Sequence, residues 1–155
     1  MAVVDLLELP AALPATTPIV GLDLGEKTIG VAVSDTTRTV ATPLELICKT
    51  KFTEDAGALF KLMEGRGATG IVIGLPVNMD GTEGPRCQSS RAFARNLLRL
   101  RDIPIAFWDE RMSSMAINRM LIDEADMNRA RRAEVVDKAA AGWILQGALD
   151  RLGNA

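Results

Sequence analysis

Ile19-Val20-Gly21-Leu22-Asp23-Leu24-Gly25-Glu26-Lys27-Thr28-Ile29-Gly30-Val31-Ala32-Val33-Ser34-Asp35 holds two apolar runs, 19–24 and 29–33, around the polar tetrad 25–28. Short apolar runs joined by a glycine-containing turn predict a β-hairpin. Asp23 falls inside the first run. An ionised carboxylate in a buried strand costs several kcal/mol unless it is paired or binds a cation. Gly21 and Gly25, at minus and plus two, share its strand face. The bareness of that face predicts room for a ligand near the backbone. The plainer alternative is an Asp that caps the turn.

Outward from the hairpin, the pattern gives an α/β chain. Residues 39–48 form a third apolar run broken by Pro43, which suits an edge strand. Thr53 can cap a helix with Ala56, Leu59, Phe60 and Met63 inward, ended by Gly65 and Gly67. The run 71–75 reads as a central parallel strand. Residues 76–85, with Asn78, Asp80, Gly81 and Gly84, read as a flexible loop. A second helix is expected from about Gln88 to Arg101, with Phe93, Leu97 and Leu100 on one face and Arg91, Arg95 and Arg99 on the other. Residues 103–108 form another strand, closed by Asp109-Glu110-Arg111. Ser113 or Ser114 then caps a helix with Ala116, Ile117, Met120 and Leu121 inward. The last helix is expected from near Arg132 to Leu152, with Val136, Ala140, Ile144 and Gly147 on its apolar face. The order βββαβαβαα predicts a mixed five-stranded sheet with helices on both faces, because later strands alternate with helices. Residues 1–18, with Pro10, Pro14 and Pro18, read as a flexible extension; 19–152 form the one domain.

Composition narrows the chemistry. A chain of 155 residues with 48% apolar content supports one domain with a real core. No apolar run approaches the roughly 20 residues of a membrane helix, and the first residues lack a basic flank, so a cytoplasmic protein is expected. The two cysteines, Cys48 and Cys87, form no disulfide or zinc pattern. There is no histidine, which excludes Ser-His-Asp and Cys-His nucleophilic systems and His-ligated zinc. A net charge of −2 supplies no global basic field, so nucleic acid would need local basic patches.

In parallel sheets ligands collect at the carboxyl ends of strands. Asp23, the pair Asp109 and Glu110, and Asp137 near the start of the last helix can meet there. Of Asp109 and Glu110 only one can point toward Asp23, because strand side chains alternate. The small run Ala139-Ala140-Ala141-Gly142 lets the helix approach the sheet closely. Three carboxylates gathered together repel unless a hard cation such as Mg²⁺ or Mn²⁺ binds them. Taken singly, Asp137 also suits a helix N-terminal turn, and Asp109-Glu110-Arg111 suits a surface ion-pair cluster.

Four segments in order carry a resemblance. They are Gly-Leu-Asp-Leu-Gly-Glu-Lys-Thr-Ile-Gly-Val-Ala-Val-Ser-Asp at 21–35, Val-Ile-Gly-Leu-Pro-Val-Asn-Met-Asp-Gly-Thr-Glu-Gly at 72–84, Asp-Glu-Arg-Met-Ser-Ser at 109–114 and Val-Asp-Lys-Ala-Ala-Ala at 136–141. The chain thereby resembles, over roughly 19–152, the YqgF/RuvX family of pre-16S rRNA nucleases, once called Holliday junction resolvases. The resemblance implies a ribonuclease H-like fold, divalent-metal phosphodiester hydrolysis with Mg²⁺ or Mn²⁺, and maturation of the 5′ end of 16S rRNA. It implies Asp23, Glu110 and Asp137 as catalytic and metal-binding acids. Thr28 stands where the family usually has Arg, and Lys27 is its nearest substitute.

Lys27, Arg86, Arg91, Arg95, Arg111 and Arg131 are the basic groups expected to grip substrate phosphates. Arg129, Arg131 and Arg132 are expected to order the start of the last helix on substrate. Three other readings compete. One is a non-catalytic rRNA-binding or assembly factor with a vestigial acidic site. A second is a resolvase acting on branched DNA. A third is an actin-like phosphotransferase, against which 155 residues are too few for two lobes. Monomer and homodimer are both compatible with the sequence.

Overall fold

The computed structural model describes the backbone of residues 3–112 and 129–153 and the side chains of 3–112 and 139–153. Five strands form one sheet in the order β3-β2-β1-β4-β5. They are β1 (Ile19–Leu24), β2 (Thr28–Ser34), β3 (Ala41–Cys48), β4 (Gly70–Leu75) and β5 (Ile105–Asp109). β1 pairs antiparallel with β2 and parallel with β4. β4 and β5 are parallel, and β3 is antiparallel to β2 at one edge. The expected hairpin and mixed sheet are thus present. Pro43 lies in the edge strand opposite a register shift at Val31/Ala32, where a missing N–H does least harm.

Helices α1 (Phe52–Arg66) and α2 (Pro85–Leu100) cover one face. Leu59, Phe60, Ala94 and Leu97 pack there against Val20, Leu22, Ile71 and Ile73. Helix α3 (Arg129–Gly153) covers the other, with Ala140, Ala141, Ile144 and Leu145 against Ile19, Val72 and Ala106. The expected helix after Ser113 lies outside the described residues. α1 starts without a Thr53 cap. Instead, the buried Asp55 carboxylate accepts from the Thr50 backbone N–H at 3.0 Å and its hydroxyl at 3.2 Å. Gly67, at φ +69°, ends that helix in the left-handed conformation only glycine adopts cheaply. α2 begins three residues before the expected Gln88, because Pro85 occupies a first-turn position where its missing N–H costs nothing. Among the described residues no helix is long and apolar enough to cross a membrane.

Residues before β1 pack differently from a free extension. Val3 bridges Ile105 in parallel, and the Val4 N–H donates to the Ile105 carbonyl at 2.9 Å. Two 3₁₀ turns, Leu6–Glu8 and Pro10–Ala12, then drop Leu9 and Leu13 into the core under α3. Leu9 is 0% exposed. Prolines that read as breakers here shape a segment following the sheet edge. Truncating Leu9 to Ala should therefore cost about 2–4 kcal/mol, as for other fully buried leucines. A urea titration checks this; an unchanged midpoint would mean the segment contributes nothing to stability.

Candidate active site

Strand alternation decides which side chains reach the α3 face at the carboxyl edge of the sheet. On β1, Val20, Leu22 and Leu24 belong to the α1/α2 side, so Ile19, Gly21 and Asp23 face α3. Asp23 pairs in register with Gly30 and is 8% exposed. On β5, Ala106 and Trp108 pack under α3, and Glu110 follows with the same parity. Between these two strands lies β4, whose Gly74 pairs with Trp108. A Cβ at Gly74 would lie 3.4 Å from the Glu110 carboxyl carbon and 2.5 Å from the Ile144 methyl. Gly74 therefore leaves the space in which the Glu110 carboxyl lies against the sheet. Sequence reasoning missed this glycine; its place two residues beyond Val72, on the α3 face, was the available signal.

Gly21 does not leave space for a ligand, as its bareness had suggested. A Cβ there would meet the Leu145 Cβ at 2.6 Å and the Ala141 carbonyl oxygen at 3.2 Å. Its missing side chain is filled by helix α3. Gly25 serves the hairpin turn, where its N–H donates to the Thr28 carbonyl at 2.9 Å. On the helix side, Gly142 rests near Pro43, 3.3 Å from where its Cβ would be. The small run thus does bring α3 close to the sheet, as expected. Gly142 lies by Pro43 and Gln146 bonds Ala41, so the helix runs against β3 and hence against β1. Asp137 occupies the helical position one turn before Ala141, toward the Asp23 end of β1. Its side chain, like those of Arg129, Arg131 and Arg132, lies outside the described residues.

Asp109 has the opposite parity and another occupation. Arg111 donates to its carboxylate through Nε at 3.0 Å and Nη2 at 2.6 Å, and the Arg111 N–H adds a bond of 2.9 Å. These bonds, the Arg111 side chain first, hold the Asp109 carboxyl below its usual range. Arg111 also reaches the Met79 carbonyl at 3.4 Å. The 76–84 segment, expected to be a flexible loop, is internally tied as well. Asn78 N–H donates to the Thr82 carbonyl at 2.9 Å, and Asp80 accepts from the Thr82 hydroxyl at 2.6 Å, which lowers the Asp80 carboxyl. Asp109→Asn should accordingly loosen this segment yet leave the phosphodiester cleavage expected from the resemblance within a few-fold of the parent. An inactive Asp109→Asn beside an active Glu110→Gln would reverse the parity.

The basic groups divide. Lys27, Arg86, Arg95 and Arg99 are exposed. Arg91 is committed to the protein: Nε and Nη2 each donate to Glu83 at 2.7 Å, and the guanidinium lies 5.0 Å over the Phe107 ring. The Glu83 carboxyl is lowered by that arginine. The stripe is therefore not one surface. Among the described residues no group of three metal-ligating side chains occurs, Asp137 being outside that set. Asp23 on β1 and Glu110 just past β5, hard oxygen donors on one sheet face with β4 between them, fit a hard divalent cation.

A profile of the RuvX family, described as Holliday junction resolvase, matches residues 17–151. A Phenylobacterium zucineum protein named "Putative pre-16S rRNA nuclease" is 81% identical over 155 residues, covering 99% of each chain. A Caulobacter vibrioides protein of the same name is 69% identical over 153 residues, covering 98% of each. Among solved structures, Thermus thermophilus RuvC with a Holliday junction superposes with a TM-score of 0.53 at 10% identity. That match covers 90% of this chain and 98% of RuvC, and shows a shared ribonuclease H-like fold.

Proposed function

The chain belongs to the RuvX family, and from that footing we propose that it is a metal-dependent nuclease acting on structured RNA, in the 5′-end maturation of precursor 16S rRNA. The observation that carries the chemistry is the placement of a buried Asp23 and of Glu110 on one sheet face, with the Gly74 strand between them. A chain without histidine has carboxylates as its natural means of acting on a phosphodiester. Asp23, Glu110 and Asp137 would hold Mg²⁺ or Mn²⁺, which supplies an activated water and charge stabilisation when bound. Asp23 sits on a central strand paired on both sides, so the backbone that carries its carboxylate is fixed. Glu110, the first residue after β5, has its carboxyl over the space that Gly74 leaves open. Asp137 depends on the docking of α3. Work on precursor rRNA would be done in the cytoplasm.

The RuvX description favours a second substrate, branched DNA. Incubation with precursor 16S rRNA and with a four-way DNA junction, each with Mg²⁺, Mn²⁺ or EDTA, separates the two. Cleavage of the RNA alone, lost in EDTA, supports the first reading. Binding without cleavage of either would leave an assembly factor.

Exposed basic groups would hold the substrate strand, with Arg95 outward and Arg91 spent on Glu83. Arg95→Ala is thus expected to weaken RNA binding and flatten its salt dependence by about 0.7 in log–log slope per lost phosphate contact. Arg91→Ala should leave the slope alone and lower stability by about 1 kcal/mol, as an exposed ion pair and a cation–π contact are lost. A filter-binding salt series decides this; a flatter slope for Arg91→Ala instead would put that arginine on the substrate.

A further inference from the structure

A small pocket of about 130 Å³ opens just beyond Asp23, on the α1/α2 side of the carboxyl edge. Leu24, Gly25, Glu26, Lys49, Arg86 and Ser89 line it. Three separate stretches build it: the β1–β2 turn, the chain leaving β3 and the first turns of α2. The Lys49 N–H donates to the Lys27 carbonyl at 2.9 Å, which pins the backbone carrying the Lys49 ammonium beside the turn. Arg86 reaches the Leu24 carbonyl through Nη2 at 3.4 Å. That long bond engages one of the five guanidinium donors. Ser90 turns back on its own helix, donating to the Arg86 carbonyl at 3.0 Å, so the neighbouring exposed Ser89 is the hydroxyl at the mouth. Phe93 forms the floor, fixed edge-on against Phe52 with ring centroids 5.3 Å apart.

Two cations and a hydroxyl in a small open pocket suit a single phosphate. Glu26, the one carboxylate of the lining, leaves a net positive charge. Leu24 directly follows Asp23, so a strand crossing the acidic edge has this pocket in its path. We propose that the pocket holds a backbone phosphate of the substrate strand other than the scissile one, with Lys49, Arg86 and Ser89 as its partners. Lys49 and Ser89 thereby join the substrate-binding residues. The pocket sets which bond of the strand comes to lie over Asp23 and Glu110. This inference rests on the nuclease reading, but its test needs no cleavage.

The probe is a single-stranded RNA oligonucleotide with one neutral methylphosphonate linkage, moved one position at a time. Binding is followed by fluorescence anisotropy in EDTA. The parent protein should bind roughly tenfold more weakly when the linkage falls on the pocket phosphate, as one charged hydrogen-bonding contact is lost. In Lys49→Ala combined with Arg86→Ala that position should lose its penalty, while the other positions keep theirs. Lys49→Arg should retain the penalty, which separates charge from a loss of folding. Glu26→Gln should tighten binding about two- to threefold by removing a repulsive charge. The inference is overturned if the double variant keeps the parent pattern of penalties, or if Glu26→Gln weakens binding. Failure of the nuclease reading would register elsewhere, as no cleavage of any substrate with Mg²⁺ or Mn²⁺.

Discussion

Replacing Asp23 by Asn, or Glu110 by Gln, is expected to abolish cleavage of structured RNA while the chain stays folded. Each change keeps the shape of the side chain and removes one charge from the proposed metal-binding set. The rate should fall roughly a thousandfold or more, since several kcal/mol of transition-state stabilisation goes with the metal. Stability should move the other way for Asp23→Asn. The parent carries a carboxylate 8% exposed at the sheet edge, on the same face as Glu110. Without a cation, neutralising one acid relieves like-charge repulsion and desolvation. The Asn variant should thus melt no lower than the parent in EDTA and lose the parent's gain on adding Mg²⁺. Single-turnover cleavage and thermal melts with and without Mg²⁺ measure both halves. Parent-like cleavage by Asp23→Asn would remove Asp23 from the site.

The second large effect concerns Gly21→Val. Its first new carbon would fall 2.6 Å from the Leu145 Cβ and 3.2 Å from the Ala141 carbonyl. Both partners belong to or adjoin helix backbone, so no rotamer change relieves the clash. Helix α3 must lift from the sheet. Overpacking of this kind costs about 1–3 kcal/mol, and the branched side chain places Val at or above the upper end. α3 also carries Asp137, so cleavage should fall further than the loss of folded protein explains. Gly57→Ala is the matching control. Gly57 lies mid-α1 with nothing within 4 Å of a Cβ, and Ala there should stabilise by about 0.5–1 kcal/mol. Urea midpoints and cleavage rates normalised to folded protein decide the matter. A Gly21→Val protein as stable and active as the parent would mean the helix is not held as closely as its contacts indicate.

Much of this arrangement was legible locally. The hairpin followed from two apolar runs and a turn. Strand alternation said that only one of Asp109 and Glu110 could share the Asp23 face, and the family resemblance chose Glu110. What was not legible depends on partners far away in sequence. Gly21 and the run Ala139–Gly142 are two halves of one contact, about 120 positions apart, and either half alone looks like empty space. Arg91 looked like its helical neighbours until Glu83, on the preceding loop, closed on it. Leu9 and Leu13 lie among prolines, with no period to mark them as core. The phosphate pocket draws on three elements, each of which contributes one or two unremarkable residues.

The core beneath α3 joins residues far apart in sequence: Leu9, Leu13 and Ile19 belong to the same cluster as Ala140, Ile144, Leu145 and Leu149. Synthesis delivers these groups in the opposite of a convenient order. Leu9 emerges from the ribosome well before its partners on α3, which follow all five strands. Until then one face of the nascent sheet stays uncovered and open to chaperones. The other face, sealed by α1 and α2, can form first. A nuclease whose acidic site awaits a helix made after all five strands would remain inert until that helix is translated, beside the very class of RNA it is proposed to cut.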